Sequence, residues 1–255
     1  MVDGAGAVDR ARHRLGQSAF ARRAAGSVHG VLTREQLFAL TFDDGPDPNV
    51  TPGVLELLAQ RNGTATFFMP AERALAHPDL ARRVAALGNE VGVHGFRHER
   101  ITELGLAGFR RETTLARREL RRILGTTPRW FRPPFGAQNL RTFLATRVQG
   151  MDVAVWASDI SDAITTIDVG IEPGPSGTLL LNAGGIQTTC TPGAILLLHD
   201  TPARDDPPAD APARKLALIG RILTAIDSLG GRVVTLSEIL RHGAADRRIW
   251  RSAGY

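Results

Sequence analysis

Apolar runs that end in polar clusters recur along this chain. Leu37 to Phe42 leads into Asp43-Asp44-Gly45-Pro46, Val91-Gly92-Val93 into His94, Trp130-Phe131 into Arg132, and Leu196-Leu197-Leu198 into His199-Asp200. Short apolar runs bounded by turn residues read as buried strands. The spacing predicts the first strand at Gln36 to Phe42, then a helix opening at Thr51-Pro52 and running to about Gln60, with Thr as cap and Pro in the first turn. Further strands are expected at Thr64 to Met69, Val91 to Val93, Trp130-Phe131, Asp152 to Trp156, Ala194 to Leu198 and Arg232 to Leu236. Helices are expected from Pro78-Asp79 to about Leu87, from about Leu106 to Leu124, from Asn139 to Gln149, and from the end of the 202–212 loop to about Leu229. The third of these five helices has the firmest pattern: Leu106, Phe109, Thr113, Ala116, Leu120, Ile123 and Leu124 share one face, and Gly125 closes it. Ser237 is read as the cap of a short last helix, and 163–192 yields no clear pattern beyond an apolar knot at Leu179 to Leu181.

Strand and helix alternate, which predicts a parallel sheet with helices outside it. Each polar cluster follows the carboxyl end of a strand, where α/β barrels carry their active sites.

Composition narrows the picture. The 255 residues are 43% hydrophobic, enough for one large core. Thirty-one basic residues against 26 acidic ones give a net charge of +5, and Lys215 is the sole lysine. The arginine-rich stretch Arg110 to Arg122 also carries Glu112 and Glu119 on a helix with an apolar face, so it reads as a solvated surface and no nucleic-acid partner is expected. Cys190 is the only cysteine, which excludes an internal disulfide and a multi-cysteine zinc site. No apolar run approaches the ~20 residues of a membrane span. The first thirty residues are rich in Ala, Gly and Arg without a continuous apolar core, so the expectation is a cytoplasmic protein with an amino-terminal arm at 1–34 and one domain at 35–255.

The chemistry starts from Asp43-Asp44. Adjacent carboxylates repel unless a cation lies near, and a turn beginning at the second can bring both into one site; a solvated Asp-Asp-Gly turn is the alternative. His94 and His98 are four apart, so on a helical turn they could share a metal with Asp44 and leave a position for water. Arg132-Pro133-Pro134-Phe135-Gly136 can hold a guanidinium against a carboxylate and present a backbone N–H to an oxyanion, or serve only as a rigid turn. His13, His29, His77 and His242 fall in apparent loops or termini and are assigned to the surface.

In this order the segments resemble the polysaccharide deacetylase family, with the NodB homology domain (carbohydrate esterase family 4), from about Leu37 to Leu240. The resemblance implies a distorted (β/α) barrel of about seven parallel strands with outer helices. It implies metal-dependent hydrolysis of an N-acetyl amide, with Asp44, His94 and His98 binding one divalent ion, zinc by default. Asp43 would be the base, Arg132 its orienting partner, His199 the general acid and Asp162 the residue that tunes it. The Phe135 N–H would face the oxyanion, with Leu197 beside the substrate. Two departures stand out: Gly95 replaces the usual Ser or Thr of the second motif, and Ala163 replaces the tryptophan after Asp162 that walls the acetyl pocket. An N-acetylated amino sugar or small amino-sugar conjugate is the expected substrate. A chitin- or peptidoglycan-type polymer, a small non-sugar amide, and a non-catalytic binding protein on the same scaffold are the alternatives.

Overall fold

A computed structural model describes residues 26–160, 169–183, 186–201 and 209–249. Its strands are β1 (Ser27–Leu32), β2 (Leu37–Asp43), β3 (Thr66–Met69), β4 (Glu90–Val93), β5 (Trp130–Phe131), β6 (Asp152–Val153), β7 (Ser158–Asp159), β8 (Val169–Pro173), β9 (Leu179–Ala183), β10 (Ile186–Cys190), β11 (Ile195–His199), β12 (Arg232–Val233) and β13 (Ala244–Arg248). Its helices are α1 (Thr51–Ala59), α2 (Ala71–Ala76), α3 (Pro78–Ala86), α4 (Gly105–Leu124), α5 (Leu140–Val148), α6 (Ala211–Ser228) and α7 (Leu236–Ile239).

Seven parallel strands follow the order β6-β5-β4-β3-β2-β11-β7, and β12 pairs with the first half of β2. The sheet curls into a half-barrel with helices around it, the distorted (β/α) barrel expected. At the amino-terminal end β1 bridges Val28 to Ala154 and Gly30 to Ala194, spanning the gap between β6 and β11. β1 also pairs antiparallel with β13, a contact that their local sequences did not reveal. Among the described residues, no helix is long and apolar enough to cross a membrane.

Side-chain alternation along β2 divides the core. Phe38, Leu40 and Phe42 pack outward against the helices, while Leu37 and Ala39 join Phe68, Trp130, Ala154 and Ile195 inside the barrel. Period-two geometry then places Thr41 and Asp43 on the same inner face. In β11, Leu196 and Leu198 face the helices, and Leu197 and His199 face in. The register pairs Leu197 with Thr41 and His199 with Asp43. All seven residues of β2 are buried, so both faces select against charge except where a partner waits.

Several local readings change. Thr51 is not a cap: Val50 takes that position without a side-chain bond, and the Thr51 hydroxyl is drawn to Asp200 instead. Ser237 does not cap α7, because Thr235 accepts from the Glu238 N–H; Ser237 bonds to Glu90 and receives the Trp130 indole N–H. His29 is half-buried, its Nδ1 3.1 Å from the Trp156 carbonyl. The unpatterned 163–192 stretch contains the antiparallel sheet β8-β9-β10, whose first strand packs on α6.

Candidate active site

Arg132 is fully buried just past β5. One terminal nitrogen donates to Asp43 Oδ1 and to Thr41 Oγ1, each at 2.7 Å; the other reaches the Val155 carbonyl at 3.0 Å, and Nε the Ala154 carbonyl at 3.4 Å. Thr41 passes its own proton to the Leu196 carbonyl at 2.7 Å. The guanidinium lies 4.1 Å from the Phe68 ring centroid and 5.8 Å from that of Trp156. A buried guanidinium satisfied in this way is held in one place. Burial pushes the Asp43 carboxyl above the usual carboxylate range, while Arg132 and His199 pull it down.

Asp44 begins the turn after β2 with φ at +73°, in the left-handed region, and its N–H donates to the Phe68 carbonyl at 3.2 Å. That torsion swings its carboxylate to the side where His94 and His98 stand. Its Oδ1 is 3.4 Å from His94 Nε2 and 3.2 Å from His98 Nε2. His94 Nδ1 is 2.9 Å from the Arg132 carbonyl. A carbonyl can only accept, so Nδ1 carries the proton and Nε2 presents a lone pair to Asp44. Burial pulls His94 down to about 3, which keeps the ring neutral. Asp44 Oδ1 is itself buried without a hydrogen-bond partner among the described residues. His94 Nε2 and Asp44 Oδ1 thus face each other as two acceptors, and the ligand atoms of Asp44, His94 and His98 lie within 4.8 Å of one another. A divalent ion fits that donor set, with the His94–carbonyl bond fixing the tautomer a metal requires.

The two histidines do not share a helical turn. Residues 96–98 form a bend, entered through Gly95, whose φ is +84° and where a Cβ would lie 2.9 Å from the Arg97 carbonyl oxygen. Glu112 on α4 supports this bend, accepting from the N–H groups of Phe96 at 2.5 Å and Arg97 at 3.2 Å. Sequence reasoning missed it, because Glu112 looked like one more charge on a solvated face; its place four residues before Ala116 and eight before Leu120 on the buried side was the available signal.

His199 Nε2 is 3.8 Å from Asp44 Oδ2. Leu197, two positions earlier, is 4% exposed. Phe135 has φ at +59°, and its ring is 48% exposed, packed edge-on at 4.3 Å from His98 with Arg100 over it at 5.2 Å. Trp156 lies against this loop: a Cβ on Gly136 would come within 2.9 Å of its ring. Asp162 and Ala163 lie outside the described residues. Asp43, Asp44, His94, His98, Arg132 and His199 are thus gathered at the carboxyl ends of β2, β4, β5 and β11.

A half-barrel with a carboxylate–guanidinium pair beside a three-ligand cluster belongs to the class of α/β hydrolytic enzymes that work from strand ends. The comparisons specify the family. Residues 31–154 match the family described as polysaccharide deacetylase. A peptidoglycan-N-acetylglucosamine deacetylase of Bacillus cereus is 30% identical over 212 residues, 83% of this chain and 92% of the relative. A chitooligosaccharide deacetylase of Bradyrhizobium is 32% identical over 223 residues, 86% and 95% of the two chains. The solved family 4 carbohydrate esterase of Streptomyces lividans, in complex with acetate, is 26% identical with a TM-score of 0.63, covering 86% of this chain and 99% of that one. The chain belongs to the polysaccharide deacetylase family, and it is a hydrolase of the N-deacetylase class.

Proposed function

We propose that this protein hydrolyses the acetamide of an N-acetylated amino sugar, free, in a short oligosaccharide or in a small conjugate, to acetate and the amine. The observation that carries the reading is the three-ligand cluster of Asp44, His94 and His98 set beside the buried Asp43–Arg132 pair. Relatives that act on peptidoglycan and chitooligosaccharide support the substrate class.

Asp44, His94 and His98 would hold one divalent ion, zinc by default. When bound, such an ion supplies Lewis acidity toward the carbonyl oxygen and makes water a stronger acid. Asp43 accepts the proton of the attacking water, and Arg132 holds its carboxylate in the one orientation that leaves Oδ2 available. The Phe135 N–H donates to the oxyanion. His199 delivers a proton to the leaving nitrogen as the C–N bond breaks, Asp162 tuning it, and Leu197 provides an apolar floor.

The test joins metal content with turnover. Purified protein loaded with zinc should release acetate from at least one of acetylated chitooligosaccharides, peptidoglycan fragments and small N-acetyl amino-sugar conjugates. Asp43→Asn should lose about 10²–10⁴-fold in kcat at unchanged zinc content, whereas His94→Ala should lose the zinc. No acetate from any of the three substrate types with the site loaded would overturn the proposal.

A further inference from the structure

Behind the Asp44 turn lies a fully buried carboxyl that takes no part in proton transfer. Asp200 follows His199 at the end of β11 and is 0% exposed. Its N–H donates to the Asp43 carbonyl at 3.3 Å. Its Oδ2 accepts from the Thr51 hydroxyl at 2.6 Å, which in turn accepts from the Asp47 N–H at 2.8 Å. The Thr51 N–H closes the loop by donating to the Asp47 carbonyl at 2.9 Å. The other oxygen, Oδ1, has no hydrogen-bond partner among the described residues.

The carboxyl fills the space that a side chain at Gly45 would need: a Cβ there would lie 2.2 Å from each Asp200 oxygen. Gly45 is therefore pressed against Asp200 on one side while its neighbour Asp44 turns toward the two histidines. Lys215 braces the same corner, donating to the carbonyl of Thr201. The turn needs such support, because a non-glycine residue at φ of +73° is strained and persists only where its surroundings over-determine it. A ligand on a loosely held turn would miss its partners by enough to weaken binding.

We propose that Asp200 is the positioning residue of the ligand turn: tied through Thr51 to the start of α1, it fixes the backbone at Gly45 and so aims Asp44 at His94 and His98. The inference rests on the divalent-ion reading of that cluster and adds to it a support reaching from β11 to α1. The carboxyl acts by shape and by accepting the Thr51 hydroxyl, so an amide of the same shape can replace it.

Zinc affinity, measured by chelator competition on metal-free protein, tests this without recourse to turnover. Asp200→Ala and Thr51→Val should each weaken zinc binding by about 10–100-fold. Asp200→Asn, which keeps an oxygen for the Thr51 hydroxyl, should restore affinity close to that of the native chain. Thermal melts of the metal-free variants establish that each is folded, and Thr51→Val, the milder change, decides if Asp200→Ala does not fold. Native zinc affinity in folded Thr51→Val and Asp200→Ala, with His94→Ala losing its zinc, overturns the positioning role alone. As great a loss in Asp200→Asn as in Asp200→Ala overturns it too, by assigning the effect to charge. Native affinity in His94→Ala overturns the ligand assignment, and this inference with it.

Discussion

Replacing Arg132 with glutamine separates what the guanidinium does for the fold from what it does for Asp43. The native pair is 2.7 Å apart with both partners buried. Two unit charges about 4 Å apart at an effective dielectric of about 20 interact by ~4 kcal/mol, and an arginine beside an aspartate lowers its pKa by about one to three units. Burial already raises the Asp43 carboxyl and Arg132 is the largest force opposing it. Without the guanidinium, Asp43 should therefore ionise at higher pH. A base works only when ionised, so the acid limb of kcat/KM should move up by about one to three pH units in Arg132→Gln. The assay is acetate release across the pH range with zinc saturating. Stability should fall by about 3–5 kcal/mol in urea melts, because one buried charge loses its partner. The double variant Arg132→Gln with Asp43→Asn removes both charges and should be less destabilised than the two single losses summed. An unmoved acid limb, or strictly additive losses, would refute the reasoning.

Two further outcomes follow from polar groups at the two ends of the strands. Burial raises Asp200 to about 7 from 3.8. The native state thus keeps a proton the unfolded chain has released, so the stability this group contributes falls as pH rises from about 4 to about 7 and is level above that. Asp200→Asn in metal-free protein should lack this decline, on the order of 4 kcal/mol for about three units; parallel stability–pH curves for the two proteins would contradict it. At the amino-terminal end, Ser237 accepts from the Trp130 indole N–H at 2.9 Å, and its N–H donates to Glu90 at 3.0 Å. Ser237→Ala should lower stability by about 1–3 kcal/mol and leave kcat/KM unchanged, a separation that a comparable loss of kcat/KM would disprove.

Hydrophobic order along the chain was enough to predict a parallel sheet with helices outside it. Continuous apolar runs such as Leu37 to Phe42 can only be buried on both faces, and the five-residue face of α4 from Phe109 to Ile123 admits one orientation toward the sheet. These are local properties, and the polar clusters at the run ends were legible for the same reason: Asp43, Asp44, His94, Arg132 and His199 stand where an apolar run abruptly ends.

Tertiary structure decided how those residues act together. The His94–His98 pair depends on a bend held by Glu112, whose role comes from α4 crossing beneath residues 96 and 97. Thr51 carries a cap signature but bonds to Asp200, 149 positions away, because a buried carboxyl needs a donor more than a solvated helix end does. The two-residue β7 carries too few side chains for a periodic signal, and nothing local in β1 names β13 as its partner; their place is set by the partners whose open backbone groups they satisfy. A sequence can state which groups are too polar or too apolar for water to leave alone. Only the folded chain brings the partner that satisfies each, since that partner can lie more than a hundred residues distant along the chain, as Trp130 and Ser237 do at 107.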